Sequence, residues 1–160
     1  MPSPRPSVSL PPITPEEQQN KDAFYAYGAG LALWLGVEGI EPKDYPDPLI
    51  GTWLADNGGF FKFDGAEFTW WQSSEVRDDN FYQGTYSVLP GAKTNAGYVL
   101  RQGDEMCFSV FQHYTFRKAD GVDEARNYHG VFIIETKGAD TLMVLNQRTM
   151  GTFTLTRVTA

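Results

Sequence analysis

The sequence predicts a mainly β fold: an antiparallel up-and-down β-barrel of about eight or nine strands, preceded by one N-terminal α-helix. Three observations favour this fold class. From Leu49 onward the 160-residue chain alternates short apolar segments with turns rich in glycine, proline and aspartate. Aromatic residues, which favour strands, make up 14% of the chain. A barrel that closes on itself leaves none of these strands with an exposed edge.

The chain divides into three segments in this interpretation. Residues 1–13 are rich in proline and serine, and we expect a disordered leader there. Residues 14–48 hold the helix and a proline-rich, extended linker, and residues 49–160 form the barrel. The N-terminus shows no signal-peptide pattern, and no stretch has the roughly 20 apolar residues that a transmembrane helix needs.

The helix is predicted to run from about Pro15 to Leu35. Thr14 can accept backbone hydrogen bonds as the N-cap, Pro15 suits the first helical position, and Glu17 completes a capping box. Apolar residues at three- and four-residue steps form one face, which consists of Phe24, Tyr27, Leu31 and Trp34 or Leu35. We expect this face to pack on the barrel, either against its wall or across its mouth.

Nine strands are predicted after the linker, and the turns between them include Asp64-Gly65, which is typical of a two-residue hairpin. The predicted strands are 49–55, 60–63, 66–72, 81–89, 97–102, 106–116, 126–136, 141–146 and 151–158. Side chains alternate between the two faces of a strand, and one alternating set is mostly apolar in the longer strands. We assign that set to the barrel interior.

Two motifs at the ends of the predicted barrel resemble those of the calycin superfamily, the lipocalin-like barrels. Gly51-Thr52-Trp53 is similar to their Gly-x-Trp on the first strand, and Arg157 is similar to the basic residue that packs over this Trp at the closed end. The resemblance covers about Leu49 to Val158. Three segments resemble a group of bacterial lipocalin-like domains of undefined activity, namely 49–53, 78–86 and 145–157.

The resemblance implies structural roles for Gly51, Trp53 and Arg157, and a location outside the membrane or in the cell envelope. The chain lacks the Thr-Asp-Tyr motif and the disulfide of true lipocalins. Retinoid or pheromone transport is therefore not implied.

Charge and cysteine content narrow the possible partners. The net charge of −7 disfavours binding to a phosphate backbone, so we expect no nucleic-acid partner. Cys107 is the single cysteine, which excludes an intramolecular disulfide and a Cys-rich metal site. Asp78-Asp79-Asn80 lacks the ligand spacing of a calcium loop and is interpreted as a turn. We expect no metal and no cofactor.

His113 and His129 are the only histidines, and they fall on the sixth and seventh predicted strands. The turn between these strands is centred near Gly121. A register in which paired residue numbers sum to 242 keeps both apolar sets on one face and places His113 opposite His129. Such a pair could bind a divalent metal or repel on protonation. The simpler interpretation is two histidines on the sheet surface or under the helix.

No catalytic residue is predicted. The inward positions carry no pair of carboxylates, neither histidine is placed inside, and no glycine-rich phosphate loop follows a strand. An uncharacterised enzyme therefore stays a third hypothesis, behind the two that follow.

The remaining functional signal is the aromatic interior. The candidate ligand-binding residues are Trp70, Tyr82, Tyr86, Phe108, Tyr114, Tyr128 and Phe132. Gly84 and Gly130 lie between them and leave space for a ligand or for a neighbouring ring. The leading hypothesis is non-enzymatic binding of a small, partly apolar molecule in this barrel. The alternative is a structural or protein-interaction domain of the cell envelope with a filled barrel, since eight-stranded barrels can be packed solid.

Overall fold

The secondary structure follows the predicted order of one helix and then strands. The structure is a computed structural model that describes residues 14–75, 80–118, 128–147 and 149–158. Predictions for the 1–13 leader, for Asp78 and Asp79 and for the start of the seventh strand lie outside these residues. The described helices are α1 (Pro15–Glu38) and a short 3₁₀ helix (Pro42–Asp44). The described strands are β1 (Gly51–Ala55), β2 (Phe60–Phe63), β3 (Glu67–Trp71), β4 (Phe81–Pro90), β5 (Ala92–Thr94), β6 (Gly97–Val99), β7 (Arg101–Gln102), β8 (Glu105–Arg117), β9 (Tyr128–Thr136), β10 (Thr141–Asn146) and β11 (Thr152–Arg157).

Eight of these strands form a closed antiparallel barrel, which confirms the predicted fold class. Their order around the barrel is β1, β2, β3, β4, β8, β9, β10 and β11, and β11 returns to pair with β1. Neighbours along the chain are neighbours in the barrel, except that β5, β6 and β7 lie between β4 and β8 in sequence. The β4–β8 ladder runs from Phe81 opposite Arg117 to Pro90 opposite Phe108 and closes the cylinder.

Helix α1 begins as the capping pattern predicted. The Thr14 side-chain oxygen accepts a hydrogen bond from the Glu17 backbone N–H at 3.1 Å. The helix continues three residues past the predicted end and stops at Gly39, which has a left-handed φ of 70°. Leu31 and Leu35 are fully buried against Phe111 on the outer face of β8. The helix therefore packs on the barrel wall rather than across its mouth.

The segment between β4 and β8 differs from the prediction. No strand was predicted between residues 89 and 97, but β5 pairs there with β6 in a small hairpin, and Leu100 separates β6 from β7 in the predicted fifth strand. The linker is also less extended than predicted, because it contains the 3₁₀ helix. The hairpin packs on the helix, where the Tyr98 and Trp34 rings stack with centroids 5.7 Å apart. Three-residue strands carry too little alternation to be recognised, and this contact is non-local.

The barrel interior is densely packed at the end where β1 begins and β11 ends, which we call the Trp53 end. The opposite end, where β4 begins and β8 ends, is called the Tyr82 end. Residues exposed by 8% or less form one continuous interior core that includes Trp53, Phe61, Phe63, Phe68, Tyr86, Phe108, Val110, Ile134, Leu142, Val144 and Leu155. This core fixes the positions of the aromatic side chains above it.

Candidate ligand-binding site

The seven predicted ligand-binding residues lie on inward-facing strand positions, in two groups. Tyr86 and Phe108 lie near the Trp53 end and belong to the buried core. The other five lie nearer the Tyr82 end and are partly exposed, namely Trp70, Tyr82, Tyr114, Tyr128 and Phe132. The interior is therefore closed at one end and lined by partly exposed rings toward the other.

The rings near the Tyr82 end contact one another directly. Trp70 stacks on Tyr82 with centroids 4.5 Å apart, and Tyr114 stacks on Tyr128 at 5.3 Å. Tyr82 and Tyr114 join the two stacks edge to face at 5.7 Å. Such geometries are favourable for aromatic pairs. The four rings thus form one cluster in which each ring occupies space beside the next.

Neighbouring atoms occupy the space that the two inward glycines leave. A Cβ atom on Gly84 would collide with the backbone oxygen of His113 and lie 2.7 Å from the Tyr114 Cβ. A Cβ atom on Gly130 would lie 3.0 Å from the Phe132 ring. These glycines were predicted to leave space for a ligand or for a neighbouring ring. In the structure they make room for neighbouring residues.

The Tyr86 hydroxyl is already used within the protein. It donates a hydrogen bond to the Asp47 carboxylate at 2.6 Å and accepts one from the Gly65 backbone N–H at 2.8 Å. Burial, and then the hydrogen bond to Asp47, raises the pKa of Tyr86 well above its ordinary value of 10. The phenol therefore stays protonated at neutral pH, and it ties the linker to the turn between β2 and β3.

A cavity of about 780 Å³ lies outside the barrel wall, between α1, the β5–β6 hairpin and β9. The helix contributes Ala23, Phe24, Ala26 and Tyr27 to its lining, and the hairpin contributes Lys93, Thr94 and Tyr98. Val131 and Ile133 line it from the outer face of β9. The cavity therefore has an apolar floor with polar groups on the hairpin side.

The same cavity reaches two of the predicted ligand-binding residues. Its lining includes Tyr114 and Phe132, whose side chains face inward, and Gly130, which has no side chain. The absence of a side chain at Gly130 leaves the wall thin between the cavity and the interior rings. The five other predicted residues do not line this cavity.

Sequence reasoning missed the contributions of α1 and the hairpin to this site. The signal for α1 was present, because residues 23–37 carry no charge and are apolar on more than one helix face. A helix with a single buried face needs no such composition. The hairpin carried no comparable signal, since its position depends on contacts with distant residues such as Tyr98 with Trp34.

Ionisable groups at the cavity are few and differ in their partners. Lys93 lines the hairpin side, and Glu135 lines the β9 side and pairs with Lys137 at 3.4 Å. Cys107 also lines the cavity, and burial raises the pKa of its thiol, so it is uncharged at neutral pH. Among the described residues, no group of three or more His, Cys, Asp or Glu side chains could hold a metal ion.

The two histidines pair as the predicted register requires. His113 lies directly opposite His129 across the β8–β9 ladder, and the rings stack with centroids 4.4 Å apart. His129 also lines the cavity and meets the Phe24 ring of α1 edge to face at 5.2 Å. His129 is therefore covered by the helix, whereas His113 is exposed.

Comparisons of the chain with protein-family models, with curated proteins and with solved structures found no match. Within the described residues, no helix combines the length and the apolar character needed to cross a membrane.

Proposed function

We propose that this protein binds a small, partly apolar molecule, without converting it, in the cavity between α1 and the barrel wall. The observation that carries the proposal is the cavity itself. Its volume of about 780 Å³ lies within the range of about 300–1,000 Å³ that is usual for ligand pockets. Apolar walls with a few polar groups at one side suit a ligand that is mostly, but not wholly, apolar.

In this proposal the ligand contacts the barrel aromatics from the wall side. Tyr114 and Phe132 provide the contacts, because both line the cavity. Trp70, Tyr82 and Tyr128 hold Tyr114 in place through ring contacts of 6.5, 5.7 and 5.3 Å. The barrel would then serve as a rigid lipocalin-like support for a site that the helix completes.

Tyr86 and Phe108 have a different role in the proposal. Both lie in the closed core, and the Tyr86 hydroxyl is bonded to Asp47 and Gly65. We assign them to stability of the Trp53 end rather than to ligand contact.

A matched pair of helix variants tests the site. Ala26 and Ala29 are both exposed alanines of α1, but only Ala26 lines the cavity. We expect Ala26→Phe to weaken binding of the fluorescent probe anilinonaphthalene sulfonate by roughly tenfold, equivalent to about 1.4 kcal/mol. Ala29→Phe should leave the probe affinity unchanged, and equal effects of the two substitutions would contradict the proposal.

Native mass spectrometry provides a test without a chosen probe. Protein purified from its own organism should carry a small molecule that dissociates on collision. Ala26→Phe protein prepared in the same way should lose this mass. A bare chain that also fails to bind apolar probes would rule the proposal out.

The alternative is a structural or protein-interaction domain with a filled barrel. It is favoured by the packed core at the Trp53 end and by the direct stacking of the rings above it.

The Phe132→Ala variant distinguishes ligand binding from a purely structural role. If Phe132 contacts a ligand, the substitution weakens probe binding by the folded protein; if it only fills the core, stability falls and the affinity does not change.

A further inference from the structure

The N-terminal half of α1 rests on the stacked histidine pair. Phe24 meets the His129 ring edge to face at 5.2 Å, and Tyr25 lies at 6.2 Å from it. Beneath them His113 and His129 are almost parallel, with an angle of 14° and centroids 4.4 Å apart. At this distance two imidazolium ions would repel, whereas two neutral rings stack.

Residues 15–26 carry the acids Glu16, Glu17 and Asp22, but the two side chains that shift the pKa of His129 are both basic. Lys21 of α1 and His113 of β8 both act on it electrostatically, and burial, His113 and Lys21 together lower the pKa of His129 below its ordinary value of 6.5. On the β10 side, pairing with β9 starts only at Phe132, beyond His129. The helix side and the β8 side therefore both disfavour a charged ring.

The far side of His113 carries one acid and one base. Glu67 and Arg117 line the shallow cleft there, together with His113 itself. Glu67 lies two strands away, since Thr85 of β4 is opposite both Glu67 and His113. That places it about 10 Å from His113 along the sheet, where water screens its charge. Arg117 bonds to Gln83 at 2.9 Å. Neither group offsets the repulsion within the pair.

The helix has two regions that differ in how firmly they are held. Leu31 and Leu35 are fully buried, and the Tyr27 hydroxyl is within hydrogen-bond distance of Ser109 at 3.0 Å. Gly28 and Gly30 follow directly, and each weakens a helix by about 1 kcal/mol relative to alanine. Within residues 15–26, Phe24 meets the rings of His129 and Phe111 edge to face and Tyr25 lies beside His129. This part of the helix can separate while the rest stays in place.

We propose that protonation of His129, which stacks on His113 beneath α1, releases residues 15–26 of α1 from the barrel wall and opens the cavity. The inference about the cavity rests on the proposed function; the release of the helix does not. Because the docked helix covers His129 and favours its neutral ring, docking is stable above about pH 6.5 and weakens as the pH falls below it. The protein would then bind its ligand at neutral pH and release it at mildly acidic pH.

Hydrogen exchange measured by mass spectrometry tests the release on the full chain. After correction for intrinsic exchange rates, we expect protection of residues 15–26 to fall roughly tenfold between pH 7.5 and pH 5.5, because a charged His129 ring is disfavoured beneath the helix. Residues 31–38 should keep their protection. In the double variant His113→Gln with His129→Gln, protection of 15–26 should not depend on pH. Equal protection of the native chain at both pH values, or an unchanged dependence in the double variant, would overturn the proposal.

Probe affinity tests the link to the cavity. Anilinonaphthalene sulfonate keeps its charge over this pH range, and we expect the native chain to bind it more weakly at pH 5.5 than at pH 7.5. His113→Gln, which does not alter the cavity lining, should show a smaller difference between the two pH values, because His113 no longer acts on His129. If 15–26 is released but the affinity does not change, the link is wrong and the proposed function stands. If the probe binds at neither pH, the proposed function fails even where the helix is released.

Discussion

The guanidinium of Arg157 lies over the indole of Trp53, with its central carbon 4.2 Å from the ring centroid. Its Nη1 donates to the Ile50 carbonyl at 2.8 Å, and the Trp53 ring N–H donates to the Leu49 carbonyl at 2.7 Å. The two side chains thereby bind both carbonyls that precede β1. Gly51 passes so close that a Cβ there would collide with the Arg157 guanidinium. The first and last strands of the barrel are joined at this point.

Arg157→Met should destabilise the protein by about 1–3 kcal/mol. Methionine keeps the apolar stem but loses the cation–π contact and the bond to Ile50. The stability of the Arg157→Lys protein should lie between those of the native and Met proteins. A lysine ammonium lacks the planar fork with which arginine both stacks on the ring and holds the carbonyl. Urea unfolding followed by tryptophan fluorescence measures the change. Equal midpoints for native and Met proteins would show that the contact contributes nothing.

Gly84→Ala should destabilise the barrel by about 1–3 kcal/mol or prevent folding, because the new methyl group meets the His113 backbone. Gly130→Ala is the matched control. Its methyl group would meet only the end of the Phe132 ring, at 3.0 Å, and a ring can shift where a strand cannot. Thermal unfolding of both variants should give a clearly lower midpoint for Gly84→Ala, and the reverse order would contradict the close approach of β4 and β8.

Tyr86→Phe should destabilise the protein by about 1–3 kcal/mol at pH 8, because it leaves the Asp47 carboxylate and the Gly65 N–H without their shared partner. The folded protein raises the Tyr86 pKa above 10, so it holds a proton that the unfolded chain releases. The stability that the hydroxyl provides is present below about pH 10 and is lost as the pH rises further. The difference between native and variant in urea unfolding should therefore shrink above pH 10, and a constant difference would argue against a bonded, buried phenol.

The features that the sequence predicted are those with local or repeating signals. Alternation in β8 and β9, combined with the position of the turn, sufficed to place His113 opposite His129. The Gly-x-Trp motif and Arg157 mark the first and last strands in the same way. These signals depend on residues close in sequence or on a known strand geometry.

The position of α1 and the cavity under it could not be predicted. The predicted face of Phe24, Tyr27, Leu31, Trp34 and Leu35 does pack on the barrel, but the sequence did not show which part of the barrel it covers. Contacts with residues distant in sequence fix the position of the helix. Phe111 on β8 packs against Leu31 and Leu35, and Tyr98 stacks on Trp34. A cavity between elements exists only once both are placed, and for that reason the sequence located the aromatic residues but not the space beside them.

Ser109 joins three elements through hydrogen bonds whose directions are fixed. Its hydroxyl donates to the Gly91 carbonyl at 2.7 Å, so its oxygen accepts from the Tyr27 hydroxyl at 3.0 Å. The Tyr27 oxygen in turn accepts from the Lys93 backbone N–H at 2.8 Å. The wall, the helix and the hairpin are thus connected at a site where Ser109 is fully buried.

Ser109→Ala should cost about 1–3 kcal/mol in urea unfolding, because the Gly91 carbonyl loses the Ser109 donor and the Tyr27 O–H loses its acceptor. Tyr27→Phe should cost less, because Ser109 keeps its bond to Gly91 and Lys93 is exposed. Adding Tyr27→Phe to Ser109→Ala should have a smaller effect than Tyr27→Phe alone, since the bond between them is already lost. A double-mutant cycle measures this coupling, and strictly additive effects would mean that the helix is held by its apolar contacts alone.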